Sequence, residues 1–194
     1  GKSTLLRIAG GLLRADHGTV RCEGELLLRP TLSRLAGRGL LLLPDHDFLS
    51  GSLTVRQHLE AISRTFGGGP IDDVVERLAL GPHLHKRPRQ LSGGETRRAE
   101  VACAIVRRPR YLLADEPLRG IAPIDAEVLL AEFRALTLTG CGVVITGHEV
   151  GTLLEVADHL TWCTDGTTYE LGPPAAAQMD DRFRSAYLGQ SAAW

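Results

Sequence analysis

The amino-acid sequence predicts an α/β fold with a mainly parallel sheet, helices on both faces of the sheet, and an inserted helical subdomain. Short apolar runs of strand length alternate with longer stretches of helical periodicity, which is typical of parallel strands joined by helices. The stretch 53–98 differs, because it holds helical patterns and no obvious strand. We therefore predict a core formed by residues 1–52 and 99–194, with residues 53–98 as the helical subdomain.

Composition and charge bound the possible functions. The 194 residues are 43% hydrophobic and 23% charged, as in an ordinary globular domain with one sizeable core. The net charge of −1 gives no electrostatic basis for a nucleic-acid partner. No apolar run approaches the roughly 20 residues of a membrane-spanning helix. The four cysteines are scattered, which favours small, mostly buried residues over a disulfide or a metal site.

The chain opens with Gly1-Lys2-Ser3-Thr4, the second half of a P-loop pattern in which backbone amides at a helix start bind phosphate. An amphipathic helix follows, with apolar residues at helical spacing: Leu5, Ile8, Ala9 and Leu12. In a P-loop, Lys2 would reach the β- and γ-phosphates and Ser3 would bind Mg²⁺. A plain helix start with a solvated lysine is the alternative. We expect the first half of the P-loop, and the strands before it, to be missing from this chain.

The next two predicted strands are short. One covers residues 19–22, and the other is the apolar run 40–43, which Pro44 ends. Three polar residues follow the second strand directly: Asp45, His46 and Asp47. Because binding sites in open α/β sheets lie at the carboxyl ends of strands, this position suits a site. Taken alone, the three residues also fit a solvated loop.

Inside the helical subdomain, Thr54 is the predicted N-cap of a helix over residues 55–62. A glycine-rich break separates it from a second predicted helix over residues 71–80. His83 and His85 then form an H-x-H pair. Since no third ligand is nearby in the sequence, a solvated loop explains this pair better than a metal site does.

The segment Leu91-Ser92-Gly93-Gly94-Glu95 begins a helix predicted to run to about residue 108. Ser92 and Glu95 have the S-x-x-E spacing of a capping box. Two glycines are poor first-turn residues, each costing on the order of 1 kcal/mol relative to Ala. They leave bare backbone at a helix N-terminus, where an anion can approach closely. We expect the segment both to cap its helix and to bind phosphate. The predicted buried face holds Ala99, Ala102, Cys103 and Val106.

An apolar strand over residues 111–114 ends on two adjacent carboxylates, Asp115 and Glu116. This pair suits a division of labour, since Asp115 can hold Mg²⁺ directly or through water and Glu116 can polarise an attacking water. A charged exit from a strand is the common alternative. The preceding buried strand and the P-loop-like start of the chain favour the functional interpretation.

A helix over residues 126–138 and a strand over residues 142–147 complete the alternation. The strand ends at His148, where a histidine beside a phosphate site can sense the γ-phosphate. A loop histidine is the alternative for this residue taken alone. From about residue 175 the tail has a helical pattern.

Taken in order, these motifs resemble the nucleotide-binding subunits of ABC transporters. The motifs that carry the resemblance are Gly1-Lys2-Ser3-Thr4, Leu91–Glu95, Leu112–Pro117 and His148. The resemblance covers essentially all 194 residues and implies a P-loop NTPase fold. Within the family, residues 120–123 and 186–189 resemble ATPases of branched-chain amino-acid importers and, less closely, of lipopolysaccharide exporters.

The resemblance implies an ATPase, with ATP and Mg²⁺ as cofactors, that powers a membrane transporter. Two subunits, as a homodimer or with a paralogous ATPase, would enclose two ATP molecules between them. Lys2 and Ser3 of one subunit would face Ser92, Gly93 and Gly94 of the other. The full set of nucleotide-binding residues would be Gly1, Lys2, Ser3, Thr4, Ser92, Gly93, Gly94 and Glu95. Glu116 would be the catalytic base and His148 the γ-phosphate switch, and the Mg²⁺ contacts would be Ser3, Asp115 and Asp45.

The resemblance also implies a place and partners. The protein would be cytoplasmic and peripheral at the inner face of the cell membrane. Its helical subdomain would contact a membrane-spanning subunit, and it would not bind nucleic acid. Three residues depart from the family pattern: Asp45 and Glu95 replace Gln, and Ala122 replaces Asp. These departures keep open a nucleotide-binding regulatory subunit with little turnover. A soluble ABC protein of translation or DNA repair is the second alternative.

Overall fold

The computed structural model describes residues 1–188, which form two compact units. One unit is Ser3–Thr146, and the other holds Gly1–Lys2 together with the residues from Gly147 onward. The predicted division into residues 1–52 with 99–194 and residues 53–98 stays a prediction. Gly189, the last residue of the tail motif, lies outside the described residues.

Helices and strands alternate through the first unit, as the apolar pattern predicts. Its elements are α1 (Lys2–Ala9, whose first residue belongs to the other unit), β1 (Val20–Cys22), β2 (Glu25–Leu27), α2 (Leu32–Gly37), β3 (Leu40–Leu43), α3 (Val55–Phe66), α4 (Ile71–Arg77), α5 (Gly93–Arg107), β4 (Tyr111–Ala114), α6 (Pro123–Leu138) and β5 (Gly142–Ile145). Short 3₁₀ turns cover Gly81–His83 and Pro88–Gln90.

The centre of this unit is a parallel sheet with the strand order β3-β4-β5. The three strands run in one direction and pair in register, with Leu43 opposite Ala114 and Ala114 opposite Ile145. Helices α2 and α5 pack against β3, and α6 packs against β5. The predicted α/β class and parallel sheet are confirmed. A small antiparallel hairpin, β1-β2, lies apart from this sheet in the hydrogen-bond pattern.

Residues 53–98, all of which the structure describes, hold helices and no strand, as predicted. Thr54 caps α3 in a capping box with Gln57, and Gly67 ends the helix in the left-handed conformation with a φ of 63°. Helix α4 ends at Arg77, earlier than predicted, since Ala79 takes a φ of 49° that a helix cannot continue. Helices α3 and α4 both pack against α5.

The apolar face predicted for α1 is wrong in its details. The helix ends at Ala9, its buried residue is Leu6, and Leu5 and Leu12 are about half exposed. Just after the helix, the chain passes close to another segment. Gly11 has a φ of 72°, and a side chain on it would lie 2.6 Å from the carbonyl carbon of Thr31. The helix therefore ends in a glycine turn before the helical spacing reaches Leu12.

The second unit holds α7 (Val150–Val156), β6 (Leu160–Thr164), β7 (Thr167–Gly172), α8 (Pro174–Ala177) and α9 (Asp181–Phe183). Strands β6 and β7 form an antiparallel hairpin that was not predicted from the sequence. Its turn is Asp165-Gly166, with positive φ at both residues, as tight hairpins require. The helical tail is confirmed as far as residue 188. No described helix is long and apolar enough to cross a membrane.

Candidate nucleotide-binding site

The ends of the three parallel strands bring the candidate residues to one edge of the sheet. The backbone N–H of Asp115 donates to the carbonyl of Leu43 at 2.8 Å, and that of Thr146 donates to the carbonyl of Ala114 at 3.0 Å. The first residues after β4 and β5 are therefore locked in register. This edge is where ligands bind in open α/β sheets.

Asp115 is the centre of the candidate site. Its side chain is buried, with a residue exposure of 1%. Its Oδ1 atom accepts hydrogen bonds from the Ser3 hydroxyl at 3.0 Å and from the Thr146 hydroxyl at 2.7 Å. Its Oδ2 atom is buried and has no hydrogen-bond partner. Buried carboxylate oxygens are rarely left unpaired, so this atom points to a ligand.

Thr146 is a site residue that the sequence reading missed. Besides its bond to Asp115, its Oγ1 atom accepts a hydrogen bond from the backbone N–H of Glu116 at 2.9 Å. The signal was weak, because a threonine at the end of a valine-rich strand is an ordinary β residue. Only the pairing of β4 with β5 places its hydroxyl beside the Asp115 carboxylate and the Glu116 amide.

Glu116 has a backbone conformation that is unusual for its residue type. Its φ is 49°, in the left-handed region that favours glycine, and its side chain is half-buried. Non-glycine residues in this conformation cluster at functional sites, where the surrounding structure holds the strain. Here the Thr146 hydroxyl provides that support through the Glu116 amide.

The glycine-rich segment starts α5 as predicted. The Ser92 hydroxyl accepts from the backbone N–H of Glu95 at 3.3 Å, and Glu95 Oε2 accepts from the backbone N–H of Ser92 at 2.8 Å, which completes the capping box. The Ser92 amide lowers the pKa of the Glu95 carboxyl. His83 lies half-buried beside Glu95, with Nε2 and Oε1 3.5 Å apart. The Glu95 side chain thus serves the start of its own helix.

The two glycines of this segment have different surroundings. A side-chain carbon on Gly93 would meet no atom within 4 Å, whereas one on Gly94 would lie 2.5 Å from Asp125 Oδ2. Asp125 is in the first turn of α6 and pairs with Arg98 at 3.3 Å. A side chain on Gly94 would therefore have to displace the Asp125 carboxylate from its place beside Arg98. Gly93 leaves the helix start open.

The remaining predicted site residues are placed as follows. Thr4 is an exposed residue of α1, and Asp45 follows β3, where Arg119 Nη1 donates to its Oδ2 atom at 2.7 Å. Gly1, Lys2 and His148 belong to the second unit, and their roles stay predictions. Ala122, at the N-cap of α6, makes no side-chain capping bond. The roles predicted for Thr4 and Asp45 also stay predictions.

The arrangement defines a class: a nucleotide-binding ATPase on an α/β fold, with hydroxyl and carboxylate groups gathered at the ends of parallel strands. The ABC transporter family matches residues 1–119, more than half of the chain, and the chain belongs to this family. As a member it binds and hydrolyses ATP to power a membrane transporter. The predicted family, function and enzyme class are confirmed.

Relatives and solved structures agree with the family. A probable ABC transporter ATP-binding protein from Azorhizobium caulinodans is 32% identical over 98% of this chain and 70% of its own length. The lipopolysaccharide export system ATP-binding protein LptB from Acidithiobacillus ferridurans is 31% identical over 97% of this chain and 81% of its own. An ATP-binding cassette of an ABC transporter, solved in its ADP conformation, shares the fold with a TM-score of 0.79 at 23% identity, over 98% of this chain and 84% of that one.

The two glycines give a prediction about stability. We expect Gly94→Ala to lower the free energy of unfolding, because its methyl group collides with Asp125. Gly93→Ala meets no atom and should be neutral or stabilising by up to about 1 kcal/mol through helix propensity. Urea unfolding measures both. Gly94→Ala in an Asp125→Ala background is the control and should lose less than Gly94→Ala alone; an equal loss in both backgrounds would disprove the collision.

A buried ion pair on α5 gives a second prediction. Arg97 Nη1 and Glu100 Oε2 are 2.8 Å apart, and both residues are buried. Burial raises the pKa of Glu100 to about 7 from 4.5, with Arg97 acting in the opposite direction. The folded protein therefore holds this proton over a pH range in which the unfolded chain has lost it. The contribution of Glu100 to the free energy of unfolding therefore falls as pH rises through that range.

We expect Glu100→Gln to remove this dependence. The variant should gain stability relative to the wild type as pH rises from about 5 to about 8, by about 3 kcal/mol at most. Urea unfolding at a series of pH values measures the difference. Glu127→Gln, at an exposed position on α6, is the control. A constant difference between wild type and Glu100→Gln across the pH series would contradict the prediction.

Proposed function

We propose that Ser3 and Asp115 hold the Mg²⁺ of bound ATP and that Glu116 is the catalytic base for its hydrolysis. The observation that carries the proposal is the buried Asp115 Oδ2 atom without a partner, beside a Ser3 hydroxyl only 3.0 Å from the neighbouring oxygen. Ser3 is the second residue of α1, so this pair joins a helix start to a strand end.

The donor atoms fit Mg²⁺. This ion takes oxygen ligands and is usually held by one or two carboxylates, together with water and the phosphates of a nucleotide. Among the described residues, no group of three or more His, Cys, Asp or Glu side chains forms a metal cage. A site with one buried carboxylate and one hydroxyl therefore suits a cation that arrives with ATP. When bound, Mg²⁺ would neutralise charge on the phosphate oxygens.

Glu116 has the position that a general base needs. It follows the Mg²⁺-binding carboxylate directly, and its amide is fixed by Thr146. Its half-buried carboxylate can accept a proton from a water that attacks the γ-phosphate. In this proposal Lys2 and His148 contact the phosphates, and Gly1 and Thr4 belong to the phosphate-binding start of α1. The Asp45 carboxylate already accepts a hydrogen bond from Arg119, so its predicted Mg²⁺ contact is not part of this proposal.

The start of α5 completes a partner's site in this proposal. Ser92 and Gly93 present an open helix N-terminus, which attracts phosphate through its free amides and its dipole. Gly94 and Glu95 shape this end, through packing on Asp125 and through the capping box. The second subunit is either another copy of this chain or a paralogous ATPase.

The remaining partner is a membrane-spanning transporter subunit. ABC ATP-binding subunits work with transmembrane partners, and we place this one at the inner face of the cell membrane, where ATP is available. Residues 53–98 are the proposed contact region. They form a mostly helical segment that includes the start of α5. The net charge of −1 gives no support for a nucleic-acid partner.

The general base is tested by Glu116→Gln in the full-length protein assembled with its membrane partner. We expect steady-state ATP turnover to fall by about 100-fold or more, because the amide cannot accept the proton, while ATP binding is kept. Glu127→Gln serves as the exposed control. Turnover that is unaffected by Glu116→Gln would remove Glu116 from the mechanism and favour a regulatory nucleotide-binding subunit.

The Mg²⁺ assignment has a readout that does not depend on turnover. We expect Asp115→Asn to weaken ATP binding when Mg²⁺ is present and to change it little when Mg²⁺ is chelated. Equilibrium binding of a fluorescent ATP analogue, with and without chelator, measures both affinities. Equal weakening under the two conditions would show that Asp115 supports the fold of the site and not the ion.

A further inference from the structure

The Asp45 carboxylate lies between arginines from two other parts of the first unit. Arg119 Nη1 donates to its Oδ2 atom at 2.7 Å, and Arg97 Nη2 lies 3.8 Å from its Oδ1 atom. Asp45 follows β3, Arg97 is in α5, and Arg119 follows β4. We call these three residues the Asp45 junction.

Arg119 belongs to the same turn as the proposed catalytic base. Its backbone N–H donates to the carbonyl of Glu116 at 3.1 Å. The side chain of Arg119 therefore reaches from the Glu116 turn to the loop that follows β3. While this ion pair is intact, the Glu116 turn and the loop after β3 are linked, so a displacement of one changes the position of the other.

Arg97 holds the other side of the junction firmly. Its side chain is 8% exposed, and it donates to the carbonyls of Pro44 at 3.2 Å and Asp45 at 2.6 Å. Its third partner is Glu100 on the same helix. Arg97 is also five residues after Ser92, so it fixes the backbone of the loop to the helix that begins with the capping box.

The two arginines differ in a way that separates their roles. Arg97 is buried and bonded to backbone, which makes it part of the fold. The side chain of Arg119 is 60% exposed and donates to the Asp45 carboxylate. Exposed ion pairs contribute little to stability, typically about 1 kcal/mol or less. The Asp45–Arg119 bond therefore adds little to stability.

We propose that Asp45 and Arg119 are a pair of positioning residues, which set the Glu116 turn relative to the loop after β3 and thereby control the hydrolytic step. The proposal rests on the assignment of Glu116 as the base. It gives the two residues a joint role in turnover, because the pair holds the turn that carries the base. It also predicts that ATP binding is largely independent of the pair.

A double-mutant cycle in the full-length protein with its membrane partner tests the pair. We expect Asp45→Asn and Arg119→Gln each to lower kcat by about tenfold, with the KM for ATP changed by less than about twofold. The double variant should lose no more than either single variant, since all three lack the same bond. Arg119→Lys should keep most of the turnover, and Arg29→Gln, an exposed arginine elsewhere, is the control.

Hydrogen exchange separates a local effect of the pair from a general loss of structure. We expect faster amide exchange in residues 45–50 and in the Glu116 turn for both single variants, and unchanged exchange in β4. The proposal would be overturned if the loss of kcat in the double variant equalled the product of the losses in the two single variants. A change in the Mg²⁺ dependence of ATP binding that appears in Asp45→Asn but not in Arg119→Gln would also overturn it, because Asp45 would then act on the ion by itself.

The two proposals fail in different ways. Normal turnover in Glu116→Gln removes the proposed base, but the exchange of residues 45–50 still reports whether Asp45 and Arg119 are coupled. Exchange in Arg119→Gln that matches the wild type overturns the positioning pair, whatever Glu116→Gln does to turnover.

Discussion

The structure of the first unit depends on the burial of one carboxylate. Taking a charged group such as Asp115 out of water costs several kcal/mol unless hydrogen bonds or a cation compensate. Two hydroxyls, from Ser3 and Thr146, offset part of this cost. They come from α1 and from the end of β5, so Asp115 fixes a helix start and two strand ends together. The remaining oxygen, Oδ2, has no hydrogen-bond partner, and in our proposal it binds the Mg²⁺ of ATP.

The left-handed conformation of Glu116 follows from the same constraint. Asp115 is held by the sheet on one side and by two hydroxyls on the other, so the chain has little freedom in how it leaves β4. The turn begins at the next residue, at a φ of 49°. The Thr146 hydroxyl serves both residues, since it donates to the Asp115 carboxylate and accepts from the Glu116 amide. One side chain thus supports the two residues to which we assign different tasks.

Local patterns in the sequence predicted what local forces decide. The apolar runs gave β3, β4 and β5, and the S-x-x-E spacing gave the cap of α5, because periodicity and capping act over a few residues. The buried face of α1 was wrong, and the helix ends at Ala9, just before a glycine turn that lies close to the distant segment at Thr31. Thr146 and the Asp45–Arg119 bond were missed for the same reason: neither partner signals the other in the sequence. The roles of Gly1, Lys2, Thr4 and His148 stay predictions.

The fixed start of α5 has a consequence for how two subunits meet. The capping box holds Ser92 and Glu95, and the ion pair between Arg98 and Asp125 links the start of α5 to α6. A surface that is already rigid loses little conformational entropy when another molecule docks on it. In our proposal that molecule is a second subunit with its nucleotide. More of the free energy of ATP binding then remains for mechanical work on the transporter, because less of it is consumed in ordering this surface.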